Sequence, residues 1–196
     1  MSNLISSISY DQHEILQNII DLHLDGNDIQ WDATYGNGSF YKKGINRPVH
    51  CSDISPKYDF VSKVDCRDTA FFDGLLGNIM FDPPFLMTTG KGSIIKDRFG
   101  SYSSMEDLYH MYHDSVKEFN RVLKTKGILI IKMQNTVMSG KQWWSVNQIE
   151  GFCFHNGFAK IDEFVLLAKH RMGQHNLKKQ RHARKYHCYF LVFKKE

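Results

Sequence analysis

The chain has 196 residues, of which 42% are hydrophobic and 23% charged, and its formal net charge is +4 at pH 7. This composition is ordinary for a globular protein and excludes a disordered chain, and the length leads us to expect a single domain over residues 1–196. The four cysteines form no CxxC pair, there is no signal-peptide pattern, and polar residues interrupt every apolar run before it reaches the length of a membrane span. We therefore expect a cytoplasmic protein without membrane contact.

The first half of the chain is predicted to contain one helix and four strands. Asp11 and Glu14 have capping-box spacing at the start of a helix over residues 11–24, which carries apolar residues on one face. Gly26 ends this helix. The strands are short apolar runs that lead into polar or glycine-containing segments, and they cover residues 29–33, 48–53, 61–65 and 78–82.

Helices and strands continue to alternate in the second half. A helix is predicted over residues 105–124, with Ser103 and Glu106 as a second capping box. A continuous apolar strand over 128–132 follows, of the kind that is buried on both faces. The remaining predicted elements are a helix over 142–155 and strands over 161–168 and 186–194.

This order predicts an α/β fold, a Rossmann-like three-layer sandwich with helices on both faces of a mainly parallel, seven-stranded sheet. Fewer than 20 residues without a helical pattern join the last two strands. Because so short a connection favours a hairpin, we expect the terminal strand to be antiparallel and to lie near the edge of the sheet.

Acidic residues end three successive predicted strands. Asp32 ends the first strand and leads into a turn that contains Gly36 and Gly38, and Asp53 ends the second strand. A G-x-G turn after a strand brings backbone close to a ligand at the carboxyl edge of the sheet, and an acid at the end of the next strand can take the hydroxyls of a ribose. The third acid, Asp65, is placed to meet an adenine amino group.

A dinucleotide fingerprint is incomplete in this chain, because Tyr41 stands where that motif has its third glycine. The G-x-G turn alone is a weak signal. Each acid alone also fits a strand-end or helix-capping residue, and it is the series of three acids that favours a nucleotide-like ligand.

The tetrapeptide Asp82-Pro83-Pro84-Phe85 follows the fourth predicted strand directly. A rigid turn is one explanation, since both prolines have fixed φ and donate no hydrogen bond. The same residues also suit the methylation of an aromatic amine, whose lone pair is delocalised into its ring. The Asp82 carboxylate and the Pro83 carbonyl can accept the two amine hydrogens, the stiff prolines hold these acceptors still, and Phe85 offers a face on which a base can stack.

These features resemble the class I amino-methyltransferases, the family that makes N6-methyladenine and N4-methylcytosine in DNA and has relatives acting on RNA and protein. The family signature is Asp, Asn or Ser, then two prolines and an aromatic residue after the fourth strand, and residues 82–85 match it at every position. The resemblance extends over about residues 11–194. In one departure, the family's first motif often has Pro or Phe where Ala33 and Thr34 stand.

The resemblance implies S-adenosylmethionine as cofactor and Asp82 to Phe85 as the catalytic residues. Asp32, Gly36 and Gly38 are expected to line the donor site, Asp53 to hold the ribose, and Asp65 with Cys66 to meet the adenine ring. The full expected cofactor-binding set is Asp32, Thr34, Gly36, Gly38, Phe40, Asp53, Ile54, Asp65 and Cys66.

Residues 170–185 are rich in basic side chains and contain no acid. Such a segment fits either a solvated surface loop or a contact with a polyanion. The candidate nucleic-acid-binding residues are Arg171, Lys178, Lys179, Arg181, Arg184 and Lys185. Histidines in and beside this segment have spacings that match no common zinc site, so no metal is expected.

Many DNA-modifying members of the family carry a separate target-recognition domain, for which this chain has no room. Target recognition is therefore expected from the loops, residues 86–103 and 170–185. Adenine N6 in DNA is the preferred target, because Asp at the first signature position is usual in N6-adenine enzymes. The alternatives are an RNA methyltransferase, a lysine or glutamine methyltransferase and a catalytically silent nucleic-acid-binding module.

Overall fold

A computed structural model describes residues 4–87, 102–169 and 179–196. Eight strands form one sheet in the order β1-β9-β10-β6-β5-β2-β3-β4, and β7 and β8 form a separate hairpin. The strands of the described residues are β1 (Ile8–Ser9), β2 (Trp31–Asp32), β3 (His50–Asp53), β4 (Ser62–Lys63), β5 (Leu76–Phe81), β6 (Leu123–Met133), β7 (Thr136–Met138), β8 (Lys141–Trp143), β9 (Phe158–Leu167) and β10 (His187–Lys195).

The predicted mainly parallel sheet with an antiparallel hairpin at its end is confirmed. Strand β10 runs antiparallel to both of its neighbours, β6 and β9, and all other pairs in the sheet are parallel. The strand count is eight instead of seven, because two residues, Ile8 and Ser9, pair with Val165 and Leu166 as an edge strand. A strand of two residues has no alternating pattern from which the sequence could predict it.

Three helices cover the sheet in the part of the chain that the structure describes: α1 (Gln12–His23), α2 (Met105–Val122) and α3 (Ser145–His155). Asp11 caps α1 as predicted, since its side chain accepts a hydrogen bond from the His13 amide. The cap of α2 is Ser104, which accepts from the Asp107 amide, so the predicted Ser103–Glu106 box is one residue out of register.

The predicted helix over residues 142–155 begins three residues later than expected. Gln142 and Trp143 belong to β8, where they pair with Val137 and Thr136. The apolar character of Trp143 and Trp144 fits a helix face equally well, and only the pairing with β7 decides between the two structures.

The core has two halves, one on each face of the sheet. In β6, Leu129 and Ile131 pack with α2 and α3, whereas Ile128 and Ile130 pack with α1. This alternation with a period of two residues is that of a strand covered on both sides, so the molecule has three layers. No helix of the described residues is long and apolar enough to cross a membrane.

The chain runs outward from β2 through β3 to β4, and then returns to the other side of β2 with β5. The connections after β2 and β5 therefore leave the sheet in opposite directions at its carboxyl edge. Ligands of doubly wound α/β folds bind in the crevice at such a topological switch point.

Candidate active site

Three acidic residues meet at the switch point between β2 and β5. Asp32 is the last residue of β2, Asp53 is the last residue of β3, and Asp82 follows β5 directly. Because these strands are parallel, their carboxyl ends lie at one edge of the sheet. The three acids thus lie at the carboxyl edge of the sheet, where the sequence predicts the site.

Thr34 links the glycine turn to the Asp82 turn. Its backbone N–H donates to Asp32 Oδ1 at 2.9 Å, and its hydroxyl oxygen accepts the Asp82 backbone N–H at 2.7 Å. One residue thereby fixes the end of β2 and the start of the Asp82–Phe85 turn. The family resemblance marks Thr34 as a departure, and the structure gives this departure a function that a Pro or Phe side chain cannot perform.

Asp32 is completely buried below the glycine turn. Burial raises its pKa to about 7, against the opposing effect of hydrogen bonds from Tyr41 and Thr34, and the nearby charges of Asp82 and Asp53 raise it further. The Tyr41 hydroxyl donates to Asp32 Oδ2 at 2.6 Å. The carboxyl that was expected to line the donor site therefore anchors the loop from beneath.

The two glycines of the turn adopt left-handed backbone conformations, with φ of +56° at Gly36 and +64° at Gly38. A Cβ atom on Gly38 would lie 2.5 Å from the Tyr35 hydroxyl oxygen, so no larger residue fits there without movement. The Gly36 N–H donates to Asp53 Oδ2 at 2.9 Å. These contacts give the turn one defined shape.

A small cavity of about 30 Å³ lies beside this turn and includes five of the nine predicted cofactor residues. Its volume is that of roughly two water molecules, so a cofactor-sized ligand would extend well beyond it. The lining residues are Ala33, Thr34, Asp53, Ile54, Val64, Asp65, Cys66, Pro84, Tyr102 and Met111.

Besides Thr34, the predicted residues in the cavity include two acids with protein partners and one buried thiol. Asp53 is buried, and its oxygens accept the Gly36 and Ser55 amides, which leaves each oxygen a further lone pair for a ligand hydroxyl. Asp65 is paired with Arg67, and the hydrogen bonds from Arg67 lower the pKa of its carboxyl. Burial raises the pKa of the Cys66 thiol to about 11, so Cys66 contributes an apolar wall.

Phe40, Gly36 and Gly38 are predicted cofactor residues that do not line the cavity. Phe40 is buried beside α1, with its ring 6.0 Å from that of Phe190. It is core packing in the structure, because the chain turns back toward α1 after Gly38.

The Asp82–Phe85 turn separates the small cavity from a larger open cleft. The Pro84 carbonyl accepts a hydrogen bond from the buried Tyr112 hydroxyl at 2.5 Å, and Pro84 lines the small cavity. Phe85 lines the other side, a cleft of about 760 Å³ between the start of α1 and the carboxyl ends of β6 and β9. Pro84 thus borders a compact cavity, and the next residue, Phe85, borders space for a larger group.

Lys132 is a functional candidate that the sequence analysis did not identify. Its Nζ lies 3.6 Å from Asp82 Oδ2 and 3.4 Å from Gln12 Oε1, and it sits 4.8 Å from the centre of the Phe40 ring. The side chain is only 15% exposed. Lys132 thus places a cation beside the Asp82 carboxylate, and it lies near the end of β6, the strand beside β5.

Four of the six predicted nucleic-acid-binding residues line one groove, which we call the basic cleft. It has a volume of about 380 Å³ and lies between the β7–β8 hairpin and residues 179–185. Within the described residues, Lys179, Arg181, Arg184 and Lys185 form no ion pair, and no acidic side chain lines the cleft. Arg171 and Lys178 lie outside the described residues.

No family model and no curated protein sequence matches this chain. Among solved structures, TrmN from Thermus thermophilus matches with a TM-score of 0.54 and 14% identity, over 94% of this chain and 49% of that one. A SAM-dependent methyltransferase from Archaeoglobus fulgidus matches with a TM-score of 0.50 and 13% identity, over 93% and 94% of the two chains.

A second protein of Thermus thermophilus, provisionally assigned as a DNA modification methylase, also matches, with a TM-score of 0.50 and 16% identity. That match covers 75% of this chain and 54% of the other, so this chain spans about half the length of that protein and of TrmN. At these identities the comparisons establish the fold, which is the Rossmann-like methyltransferase fold.

Proposed function

We propose that this chain transfers a methyl group from S-adenosylmethionine to an exocyclic amino nitrogen of a nucleobase, with N6 of adenine in DNA as the preferred target. The observation that carries this proposal is the held Asp82–Phe85 turn. Thr34 fixes its first backbone N–H and Tyr112 fixes the Pro84 carbonyl, so its acceptors stand in place between the two cavities before any substrate arrives. Acceptors placed in advance stabilise developing positive charge without reorganisation.

The residues around the small cavity suit the adenosine end of the cofactor. Asp53 has lone pairs for ribose hydroxyls, Ile54 and Cys66 supply apolar walls for a flat ring, and Asp65 borders the same space. When bound, S-adenosylmethionine supplies an electrophilic methyl group on its sulfonium. The DNA modification methylase and the SAM-dependent methyltransferase among the matching structures support this choice of cofactor through their shared fold.

Our mechanism assigns each step to a residue of the tetrapeptide. The target base stacks on Phe85, and the Asp82 carboxylate and the Pro83 carbonyl accept the two amine hydrogens, which directs the nitrogen lone pair toward the donor. The amine nitrogen would then bond to the methyl group as the donor's sulfur–methyl bond breaks and leaves a neutral thioether, and the nitrogen would release one proton to the Asp82 carboxylate or to solvent. The Lys132 ammonium, 3.6 Å from Asp82 Oδ2, holds the carboxylate in place. In duplex DNA the base must first leave the stack, at a cost of a few kcal/mol that phosphate contacts offset.

The deciding experiment is transfer of labelled methyl from S-adenosylmethionine to DNA, RNA and protein in parallel, followed by digestion of the products. N6-methyldeoxyadenosine is the expected product. Label in N6-methyladenosine makes RNA the substrate, and label only in lysine or glutamine moves the activity to protein. Absence of label in all three, with cofactor binding intact, contradicts the enzymatic proposal and favours a silent nucleic-acid-binding module.

A further inference from the structure

The basic cleft and the open cleft beside Phe85 are neighbours. Phe85 lines the open cleft, the next residue, Leu86, lines the basic cleft, and Gln134 lines both. If the target base of a nucleic-acid strand stacks on Phe85, the neighbouring nucleotide of the strand therefore lies near Leu86 and Gln134. A cleft of about 380 Å³ is within the range of volumes that hold small-molecule ligands, so it has room for one nucleotide.

The floor of the basic cleft contains polar side chains with unused hydrogen-bonding capacity. The Gln134 amide donates to the His187 carbonyl, and the Asn135 amide oxygen accepts the Val146 N–H at 3.0 Å. Among the described residues nothing bonds the remaining amide groups of these two side chains or the buried Thr136 hydroxyl. Because buried polar groups are normally satisfied, the unpaired Thr136 hydroxyl points to a polar ligand such as the edge of a base, for which Gln134 and Asn135 offer a further acceptor and a further donor.

One cation of the basic cleft lies beside an exposed aromatic ring, which itself stands outside the cleft lining. Lys185 Nζ lies 5.4 Å from the centre of the Trp144 ring, and that side chain is 56% exposed. A 3.0 Å hydrogen bond between His182 Nε2 and the Gly140 carbonyl holds residues 179–185 against the β7–β8 hairpin. Basic groups next to an exposed ring are the combination with which single-strand binders hold a phosphate and stack a base.

We propose that the basic cleft is a subsite for the nucleotide directly next to the target base in the strand. The base lies over Gln134 and Asn135, and its phosphate contacts Arg181, Arg184 and Lys185. Trp144 supplies a stacking face at the rim. The subsite rests on the proposed nucleic-acid substrate and adds recognition of one neighbouring position in the strand.

The test is methylation of short single-stranded oligonucleotides that contain one target adenine. Three altered oligonucleotides each carry one abasic unit. In the first it directly precedes the target adenine, in the second it directly follows the adenine, and in the third it lies four positions away. We expect one of the two adjacent replacements to lower kcat/KM about tenfold or more, because stacking contributes roughly 1–3 kcal/mol per base. The distant replacement is expected to have no effect.

Two variants assign that loss to the basic cleft. In Trp144→Ala, which removes the stacking face, we expect lower kcat/KM on the intact oligonucleotide and a smaller additional loss on the abasic one. In Lys185→Gln, which removes a phosphate contact, we expect kcat/KM to fall by the same factor on both. Lys57→Gln, an exposed lysine outside the cleft, is the matched control. Equal rates on all oligonucleotides, or an abasic penalty that Trp144→Ala retains in full, overturn the subsite while leaving the methyltransferase activity standing. A wild-type protein that methylates no oligonucleotide overturns the activity and the subsite together.

Discussion

The active-site turn and the basic cleft adjoin each other but are built in opposite ways. In the turn, Asp82 and Pro84 are fixed through hydrogen bonds to Thr34 and Tyr112, which come from different parts of the chain. In the basic cleft, the four cations have no carboxylate partner within residues 4–87, 102–169 and 179–196. The first region is organised for a single geometry, whereas the second attracts charge without enforcing a shape. Substitutions in the first should therefore act strongly and together, and substitutions in the second weakly and independently.

The largest effect is expected from Asp82→Ala. Loss of one acceptor that acts on the developing charge should lower kcat about 10²- to 10³-fold, because such groups contribute mainly in the transition state. Methyl transfer to an adenine oligonucleotide measures it, and cofactor affinity should change little. Asp59→Ala, at an exposed position outside the clefts, is the control. Unchanged activity in Asp82→Ala contradicts the catalytic role of the tetrapeptide.

A second prediction concerns Asp32 and the pH dependence of stability. The pKa of Asp32 is about 7 in the fold, above its ordinary value of 3.8. In the wild type its contribution to stability is therefore complete below about pH 4 and is lost as pH rises through 7. Asp32→Asn removes this loss. Relative to wild type, its free energy of unfolding should rise by roughly 3 kcal/mol between pH 5 and pH 8.

Denaturant unfolding at several pH values measures this change, and Tyr41→Phe provides the opposite test. The hydrogen bond from the Tyr41 hydroxyl lowers the pKa of Asp32, so its removal should raise that pKa. The loss of stability with rising pH should then extend to higher pH. Parallel pH profiles for wild type and Asp32→Asn contradict the buried, perturbed carboxyl.

A third, smaller effect is expected at Thr34, which connects the end of β2 to the Asp82–Phe85 turn through two hydrogen bonds. Thr34→Val keeps the shape but removes the acceptor of the Asp82 N–H, and we expect kcat to fall about tenfold. Thr34→Ser keeps the hydroxyl and should recover most of the rate. A fall in cofactor affinity with kcat unchanged would instead make Thr34 a cavity wall only.

The positions of the acids and of the tetrapeptide could be predicted from the sequence, because each follows a short apolar run and parallel strands end at one edge. The contacts between distant segments could not. Lys132 lies 50 residues from Asp82 in the sequence, and only the pairing of β5 with β6 brings them to 3.6 Å. Tyr41 interrupts a known fingerprint in the sequence, and its bond to Asp32 exists only in the folded loop.

Predictions near helix ends and turns were less accurate for a related reason. Ser103 and Ser104 are equivalent in sequence, and the backbone selects Ser104 as the cap of α2. Phe40 was expected to bind the cofactor. An aromatic residue after Gly38 fits the core equally well, and packing against α1 determines its place. In both cases local pattern permits two neighbouring solutions, and tertiary contacts choose one.

The smallest effects are expected from single charge removals in the basic cleft. Lys179→Gln, Arg181→Gln, Arg184→Gln and Lys185→Gln should each weaken oligonucleotide binding a few-fold at low salt. The slope of log K against log salt should decrease by about 0.7–0.9 for each phosphate that a variant no longer neutralises. Fluorescence anisotropy at several salt concentrations measures both quantities, with Lys57→Gln as the reference.

Because these four side chains share no ion-pair partner among the described residues, their effects should add in double variants. Strong non-additivity would mean that the cleft closes around its ligand as one unit, as the active-site turn does. A salt slope equal to wild type in all four variants would place the phosphate-binding groups elsewhere and return residues 179–185 to the role of a solvated surface. Additive effects, together with a smaller slope of log K against log salt, would support the contrast between a turn of fixed geometry and a surface that binds through charge alone.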